Sequence, residues 1–253
     1  MIQLLRGFIY FTIFTQSSLA FSDTPLVSNS KPFSTDTQLN ELSQDWQQSE
    51  SHKNITIYTR SYEDSNFDAF KAVAKIDQSI ESIFAVISDP TSCPLWVDNC
   101  IESYNYVKHP QDTFQFKNRY GYALSHLPWP FKNRDLIVNI VTSNNPDTNE
   151  ITITMSSDKE LISDNDEAVH ITDSYTKYIL RSIKKDQTEL IWMQHTEPAG
   201  KLPAWLVNSM IISLPLKSTS NLENIAKLKK YQDAMIEFDS QKKIQGLKFR
   251  HEK

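Results

Sequence analysis

The sequence predicts an α+β fold in which one curved antiparallel β-sheet is covered by helices on one face. Two observations predict it. Most of the chain after residue 101 consists of short segments in which apolar and polar residues alternate, as in β-strands. Segments with apolar residues at helical spacing lie before this region and at its end. The predicted order, α-ββ-αα-β(many)-α, segregates helices from strands and is typical of helices packed on one face of an antiparallel sheet.

The region before residue 77 predicts one helix and two strands. Apolar residues recur at helical spacing from Leu39 to Trp46, and this helix is expected to end near His52. Apolar and polar residues then alternate over 54–60 and again over 70–76, which predicts two neighbouring strands.

Two helices are expected next. The first carries an apolar stripe at positions i, i+3, i+4 and i+7, formed by Ile80, Ile83, Phe84 and Ile87. Asp77 can cap its start and Pro90 stops it, because proline cannot continue a helix. A short helix around Pro94–Cys100 carries Trp96.

The segment from 101 to 195 predicts a series of strands separated by turns. Their shared faces are Phe114, Phe116, Asn118, Tyr120 and Tyr122 in one strand, Leu136, Val138 and Ile140 in the next, and Ile151, Ile153 and Met155 in a third. Two further strands cross His170–Arg181 and Thr188–His195. The polar segment between Met155 and Ala168 is expected to be a surface loop.

A long helix is expected to begin at Pro203 and to run to about Asp233. Proline at the first helical position loses no hydrogen bond, since its missing N–H would have been unpaired there. Pro215 lies inside this helix and should kink or split it. The basic segment 234–253 that follows is expected to be a mobile tail.

Composition excludes several classes of function. The 253 residues suit one globular domain, and no internal repeat is present. A net charge of −5 without a large basic block makes nucleic acid an unexpected partner. The chain has only 4 glycines and no nucleotide-binding, hydrolase or zinc-protease motif. We therefore expect no cofactor and no metal ion.

The first twenty residues have the features of a signal peptide. Arg6 supplies the positive charge, residues 7–15 are largely apolar, and Ser18-Leu-Ala20 resembles a cleavage site. The predicted organisation is a signal peptide over 1–20, a flexible leader over 21–34 and one domain over 35–233. We expect an exported protein, periplasmic or secreted; the alternative is an uncleaved N-terminal anchor.

The two cysteines, Cys93 and Cys100, flank a short loop or single helical turn. An exported protein could oxidise them to a disulfide. Neither the bridged nor the free state is favoured by the sequence, and a zinc site is not expected because no further ligands lie at suitable spacing.

Two motifs carry a resemblance to a known family. They are Pro128-Trp-Pro-Phe-Lys-Asn-Arg-Asp135 and Thr196-Glu-Pro-Ala-Gly-Lys-Leu-Pro-Ala-Trp-Leu-Val-Asn208. Together they resemble the START lipid-transfer domain, over roughly residues 39–231. The resemblance implies a helix-grip fold, a curved antiparallel sheet wrapped around a long C-terminal helix with two short helices early in the chain. It also implies a tunnel between sheet and helix that holds a lipid.

A concave sheet face rich in large apolar residues can either pack solidly on the helix or leave a hollow, and the resemblance favours the hollow. The residues then expected to contact a ligand are Trp96, Phe116, Asn118, Tyr120, Tyr122, Arg134, Val138, Ile140, Ile153, Met155, His170, Trp192, Trp205, Leu206, Ser209 and Met210.

The polar candidates each have a structural alternative. Arg134 could form an ion pair with Asp135 that anchors the strand start near the C-terminal helix. His170 could be a hydrogen-bonded edge histidine, and His195 could be exposed to solvent. Where some relatives hold a buried acidic–basic pair, the matching position is Ile140, which implies a more apolar cavity.

The functional expectation is a monomeric carrier or sensor of one hydrophobic ligand, without chemical turnover. Ligand entry would need opening of the loop Ser156–Glu167 and a tilt of the long helix, and the basic tail could touch an anionic membrane. The alternatives are a cyclase or hydrolase on the same fold, and an envelope interaction module with a filled core.

Overall fold

The structure is a computed structural model that describes residues 45–62, 65–109 and 114–249. The predicted α+β fold is confirmed. The strands are β1 Gln47–His52, β2 Ile55–Arg60, β3 Ala69–Ile76, β4 Cys100–Tyr106, β5 Asn118–Ser125, β6 Asn133–Asn145, β7 Glu150–Ser157, β8 Ala168–His170, β9 Asp173–Lys184, β10 Gln187–Glu197, β11 Ala234–Phe238 and β12 Ile244–Phe249. The helices are α1 Ile80–Ser88, α2 Cys93–Trp96, α3 Ala204–Ile225 and α4 Lys229–Gln232, with a 3₁₀ turn at Pro90–Ser92.

One large sheet contains ten of the strands, in the order β1-β2-β3-β10-β9-β7-β6-β5-β4. Its neighbours are antiparallel, except that the short β8 pairs in parallel with the start of β6. The strands β11 and β12 form a separate hairpin. Helices α1, α2 and α3 pack on the concave face, so that the core lies between this face and the helices.

Helix α1 forms where its apolar stripe predicts it, but its cap differs from the expectation. Ser79 is the N-cap, and its Oγ accepts a hydrogen bond of 3.3 Å from the backbone N–H of Ser82. Asp77 instead accepts a 2.7 Å hydrogen bond from the side chain of Gln187. The helix ends at Ser88, before Pro90, as expected. The stripe buries Ile83 and Phe84 completely.

The helix predicted to reach His52 is wrong for residues 47–52, which form the exposed edge strand β1; residues 39–44 lie outside the described part. The six residues of β1 are all exposed and none is apolar, so no hydrophobic face favours a helix there. Main-chain pairing with β2 fixes the strand instead. Trp46 just before it packs over the Lys71 ammonium, 5.0 Å from the ring centre.

Helix α3 continues through Pro215 without splitting and ends at Ile225, earlier than expected. A turn and the short α4 follow it. No helix in the described ranges is long and apolar enough to cross a bilayer.

The prediction of a mobile tail is wrong for residues 234–249, which form the β11–β12 hairpin. Ala234 and Ile244 are buried in the main core. Asn144 at the end of β6 fixes the hairpin, because its Oδ1 accepts from the backbone N–H of Ile244 and its Nδ2 donates to the carbonyl of Lys242, both at 2.9 Å. The hairpin is thus part of the packed domain.

Replacing Ile244 with alanine should lower the free energy of unfolding by about 2–4 kcal/mol, because a fully buried side chain would leave a cavity in the core. Urea denaturation followed by circular dichroism measures this loss. Phe238→Ala on the same hairpin is the control, since Phe238 is exposed and should cost less than about 1 kcal/mol. Equal, small effects of both substitutions would mean that the hairpin does not pack on the core.

Candidate ligand-binding site

The concave face of the sheet consists of cross-strand rows whose polarity rises toward one end. The first row is entirely apolar and contains Ile55, Ala74, Leu190, Leu180 and Ile151. The next contains Ile57, Ala72, Trp192, Tyr178 and Ile153. The third mixes Thr59, Phe70, Gln194, Thr176, Met155, Ile140 and Arg119, and the fourth brings Thr196 beside Ser174. Register alone therefore creates an apolar end and a polar end.

A cavity of about 240 Å³ lies between the upper rows of this face and helix α3. Phe70, Val138, Met155, Tyr178 and Trp192 form much of its floor. Val207, Met210, Ile211 and Leu214 of α3 form its roof. The methionines on both sides have unbranched, adaptable side chains that fit ligands of variable shape.

The polar end of the cavity is lined by a small set of charged and uncharged groups: Asp68, Ser125, Arg134, Ser174, Gln194 and Thr196. Away from this end the lining is mainly apolar and aromatic, with Tyr178 and Trp192 of the second row. Such a cavity separates a place for an apolar body from a place for polar atoms, as ligand pockets generally do.

The two halves of α3 are held differently. In the second half, Leu222 and Ser218 are fully buried, and Ser218 Oγ accepts a 3.0 Å hydrogen bond from the backbone N–H of Asp98. In the first half, Val207, Met210 and Leu214 are only half-buried because they face the cavity. The second half anchors the helix and the first half acts as a roof.

Arg134 fixes the turn that leads into α3. Its guanidinium donates to the backbone carbonyls of Pro198 and Ala199, the latter at 2.9 Å, and to the carbonyl of Lys132 at 2.6 Å. Ala199 has a left-handed φ of 54°, which is uncommon for a residue with a side chain and has to be stabilised by its surroundings. Burial lowers the pKa of Arg134. Arg134 lines the cavity, but its donors are largely used by the turn.

The expected ion pair between Arg134 and Asp135 is wrong, because adjacent strand residues point to opposite faces. Asp135 lies on the convex face, where its Oδ1 is 2.8 Å from Nδ1 of His170. Nε2 of His170 is 2.9 Å from the carbonyl oxygen of Leu161. Both ring nitrogens therefore lie within hydrogen-bond distance of an oxygen acceptor. His170 is thus the hydrogen-bonded edge histidine of the structural alternative, lies away from the cavity and holds the loop before β8.

His195 is buried rather than exposed, with 5% of its surface accessible, and lies on the convex face. Its ring stacks on Tyr62 at 4.0 Å between centroids, and its Nε2 is 3.4 Å from Ser65 Oγ. Glu197 approaches the same nitrogen at 3.6 Å. Burial lowers the pKa of the His195 imidazole, and Glu197 opposes this effect. The side chain does not line the cavity.

The predicted inward face of β5 is wrong by one residue. The strand begins at Asn118, and its inward residues are Arg119, Gly121 and Ala123, because Gly121 pairs with the inward Val138. Asn118, Tyr120 and Tyr122 belong to the other face, where Asn118 is exposed and the Tyr120 and Tyr122 hydroxyls lie 3.3 Å from Asp158 and Asp135 respectively.

Close packing explains the small residues on the inward face of β5. A Cβ at Gly121 would lie 2.8 Å from Cδ1 of Ile140, which shows that the neighbouring strand fills this space. The small residues Gly121 and Ala123, at alternate positions, were the feature of the sequence that indicates a crowded face. The larger aromatic residues of the strand directed the prediction to the wrong face.

A second cavity of about 120 Å³ lies beside the first, between the α1–α2 segment and strands β4 and β5. Val138, Met155 and Tyr178 line both cavities. Trp96, Tyr178 and Trp192 form an aromatic cluster at this boundary, with ring centroids 5.3–6.2 Å apart. Cys93 and Cys100 are joined by a disulfide, and both line the larger cavity.

Two donors of the aromatic cluster have no protein partner in the described ranges. The buried Nε1 of Trp192 makes no hydrogen bond, and no hydrogen bond to another described residue is recorded for the hydroxyl of Tyr178, which lines both cavities. Burial raises the pKa of Tyr178, so its hydroxyl stays neutral and can donate at neutral pH. An unmet buried donor is costly unless a ligand or water satisfies it.

The structure distributes the predicted ligand contacts over five locations. Arg134, Val138, Met155, Trp192 and Met210 line the larger cavity, and Trp96, Val138, Ile140 and Met155 line the smaller one. Tyr122 also borders the smaller cavity, although its hydroxyl lies on the convex face beside Asp135. Phe116, Ile153 and Leu206 line neither and are packed in the protein. Asn118, Tyr120 and His170 lie on the convex face, and Trp205 and Ser209 are exposed. Ligand contact itself stays a prediction for each of these residues.

Trp205 and Ser209 are exposed because they lie on the solvent side of α3. Ser209 Oγ donates to the carbonyl of Leu206 at 2.7 Å within the helix. The sequence interpretation missed Phe70, Tyr178 and Leu214, which line the larger cavity, and Arg119 in the smaller one. Alternation within their strands, once the register is known, places Phe70, Tyr178 and Arg119 inside, and Leu214 lies on the side of α3 that faces the sheet. In the described part of the chain, no cluster of three or more His, Cys, Asp or Glu side chains could hold a metal ion.

A match to a family model shows which family the chain belongs to. The START domain family model matches residues 37–225, about three quarters of the chain. The chain belongs to the START domain family. Members of this family typically bind lipids or other hydrophobic ligands, and most are not enzymes.

Similar proteins agree with this assignment at low identity. The uncharacterized protein PA1579 of Pseudomonas aeruginosa is 24% identical over 187 residues, covering 74% of this chain and 89% of the relative. A STAR-related lipid transfer protein of Xanthomonas axonopodis has a TM-score of 0.63 at 18% identity, with 72% of this chain and 99% of that one covered. Human STARD10 has a TM-score of 0.64 at 20% identity, with 76% and 77% covered. These structures show that this START domain shares their fold.

Acidification should destabilise this START domain partly through His195. A histidine whose folded-state pKa is lowered contributes stability above its ordinary value of 6.5, and loses it as the pH falls below that value toward the folded-state pKa. His195→Phe, which can keep the stack on Tyr62, should therefore lose less unfolding free energy between pH 7.5 and 5.5 than the wild type. Urea denaturation at both pH values measures this, and an equal or larger loss in the variant would contradict it.

Proposed function

We propose that this START domain holds one hydrophobic ligand in the cavity beneath α3 and carries or senses it without chemical change. The observation that carries the proposal is the larger cavity itself, with its apolar floor, half-buried roof and polar end. A ligand that fills this cavity takes its own apolar surface and the apolar lining out of water, which is favourable by about 25 cal/mol per Å².

The energetics favour a ligand with a hydrocarbon chain. Burying each methylene contributes about 0.8 kcal/mol, so eight methylenes contribute about 6 kcal/mol. Phe70, Met155 and Leu214 supply apolar surface for such a chain. The unmet donor Trp192 Nε1 is then available to an oxygen atom of the ligand, and the hydroxyl of the lining residue Tyr178 can donate to it as well.

Catalysis is less well supported by the geometry. The Asp135–His170 pair is the most enzyme-like arrangement, but it lies on the convex face and both ring nitrogens are engaged. Proton transfer requires an acid or base within hydrogen-bond reach of the substrate. A ligand inside the cavity would be separated from this pair by the sheet.

Exchange of the ligand with a membrane is proposed to occur at the polar end of the sheet. Trp129, Trp205 and Ile162 project from three different segments at this end, with 91%, 72% and 69% of their surfaces accessible. Tryptophan favours the interface between water and lipid. This surface takes the role that was first expected of the basic tail, because residues 234–249 form a packed hairpin.

We further propose that the protein acts after export. The features of residues 1–20 support this, although these residues lie outside the described part. The Cys93–Cys100 disulfide also supports it, since such bonds persist mainly in oxidising compartments.

Filling the cavity should abolish ligand binding. Val138 lines both cavities, so Val138→Trp should reduce co-purifying ligand at least 10-fold. Val141→Trp is the matched control, because Val141 lies three residues further along β6 on the exposed side. Native mass spectrometry of protein purified without detergent measures the bound ligand. A wild-type protein that carries no adduct and binds no single-chain lipid would favour the ligand-free module.

Removing the exposed tryptophans should weaken membrane contact. The double substitution Trp129→Ser and Trp205→Ser is expected to reduce sedimentation with vesicles of phosphatidylcholine and phosphatidylglycerol at least 5-fold. Val107→Ser is the control, since Val107 is also exposed but lies at the opposite end of the sheet. If the control and the double variant lose the same amount of binding, this end of the sheet is not the contact surface.

A further inference from the structure

Arg119 is a buried cation on the wall of the smaller cavity. Only 7% of its surface is accessible. Its Nη1 donates to the backbone carbonyl of Phe116 at 2.6 Å, and its guanidinium lies 4.9 Å from the centre of the Phe116 ring. This carbonyl is its one hydrogen-bond partner in the described part of the chain. An arginine has five N–H donors, so most of its capacity is unused.

No carboxylate of the described residues forms an ion pair with Arg119. The acidic residue that lines the same cavity, Asp89, is already engaged. Its carboxylate lies 2.8 Å from Lys230 Nζ and accepts hydrogen bonds from the Tyr231 and Thr91 hydroxyls at 3.0 and 2.7 Å. These contacts hold the pKa of Asp89 below its ordinary value despite burial.

Arg119 remains charged at neutral pH even though burial lowers its pKa to about 10. Buried charges in proteins are normally paired, because an unpaired one loses its hydration without compensation. The residue paired with Arg119 on the neighbouring strand β6 is Ile140, which is apolar and supplies no carboxylate. Among the described residues, the smaller cavity therefore has a cation without a counter-ion.

A second unmet group lies on the same wall. The buried hydroxyl of Ser88, at the end of α1, has no hydrogen-bond partner among the described residues. A guanidinium with one acceptor for its five N–H donors and a hydroxyl without a partner are both suited to an anion rich in acceptor oxygens.

We propose that the smaller cavity is a head-group site in which Arg119 binds the carboxylate of a long-chain carboxylic acid, whose hydrocarbon chain extends into the larger cavity. This inference rests on the proposed function and names the ligand class. One carboxylate neutralises one guanidinium and matches its planar fork. A cavity of about 120 Å³ is well below the roughly 300–1,000 Å³ of ordinary ligand sites, so it accepts a small head rather than a glycerophospholipid head.

The path between the two cavities passes the side chains that line both. Met155 is flexible, and Val138 lies opposite the side-chain-free Gly121. A chain that crosses this boundary would pass Tyr178, whose hydroxyl can donate to the second carboxylate oxygen. The apolar tail would then lie under α3.

The test compares four twelve-carbon ligands: dodecanoate, its methyl ester, dodecanol and dodecyl phosphate. Their affinities are measured below micellar concentrations by displacement of the neutral probe N-phenyl-1-naphthylamine. The wild type should bind dodecanoate at least 10-fold more tightly than the ester and the alcohol. Arg119→Met should bring this ratio close to one while leaving ester binding within about 3-fold of the wild type. Lys117→Met removes a nearby exposed cation and should keep the preference.

The outcomes separate this inference from the proposed function. The head-group site alone would be overturned if the wild type bound dodecanoate, its methyl ester and dodecanol equally well. It would also be overturned if the preference for dodecanoate survived Arg119→Met. Tighter binding of dodecyl phosphate than of dodecanoate would overturn the carboxylate assignment. Failure of all four to bind the wild type would overturn both the site and the lipid-binding proposal.

Stability of the ligand-free protein supplies an independent measurement. Replacing an unpaired buried charge with an apolar side chain of similar length relieves its desolvation, so the thermal midpoint of ligand-free Arg119→Met should equal or exceed that of the wild type. Dodecanoate should raise the midpoint of the wild type and not that of the variant. A midpoint that falls in the ligand-free variant would mean that Arg119 is already compensated within the protein.

Discussion

The docking of α3 across the concave sheet is the constraint on which the rest of the structure depends. Arg134 holds its start through the carbonyls of Pro198 and Ala199, and Ser218 and Leu222 hold its second half against α2 and the core. A curved sheet of ten strands is wider than one helix can fill. Since both ends of the helix path are fixed, the unfilled volume remains under its first half, and this volume is the candidate site.

Much of the architecture could be predicted from the sequence, where local periodicity and tertiary packing agree. The stripe of α1 and the alternation in β2, β3 and β6 reflect burial against the same core, so the pattern and the fold coincide. Edge strand β1 has no apolar residue, and its structure depends on pairing with β2 rather than on any local preference. The β11–β12 hairpin escaped prediction for a related reason: two buried side chains, Ala234 and Ile244, and hydrogen bonds to the distant Asn144 hold it.

The candidate site was predictable in outline and not in detail. Val138, Met155 and Trp192 line the larger cavity because their strands alternate as the sequence indicates. The face of β5 was assigned to its aromatic residues, whereas the pairing of Gly121 with Val138 turns Arg119 inward. A one-residue shift reverses every side chain of a strand, and no single-strand pattern reveals that a charged residue is the buried one. Cross-strand register is therefore the information that the sequence lacked.

The hairpin also bears on where this domain ends. The family match stops at residue 225, yet Tyr231, Ala234 and Ile244 are buried in the same core as α1 and β3. In a fragment that ends at the family boundary, the apolar surface covered by these side chains would be exposed to water. Asp89 would also lose its contacts with Lys230 and Tyr231. We therefore expect the cooperative folding unit of this chain to include the C-terminal hairpin, which lies beyond the extent of homology.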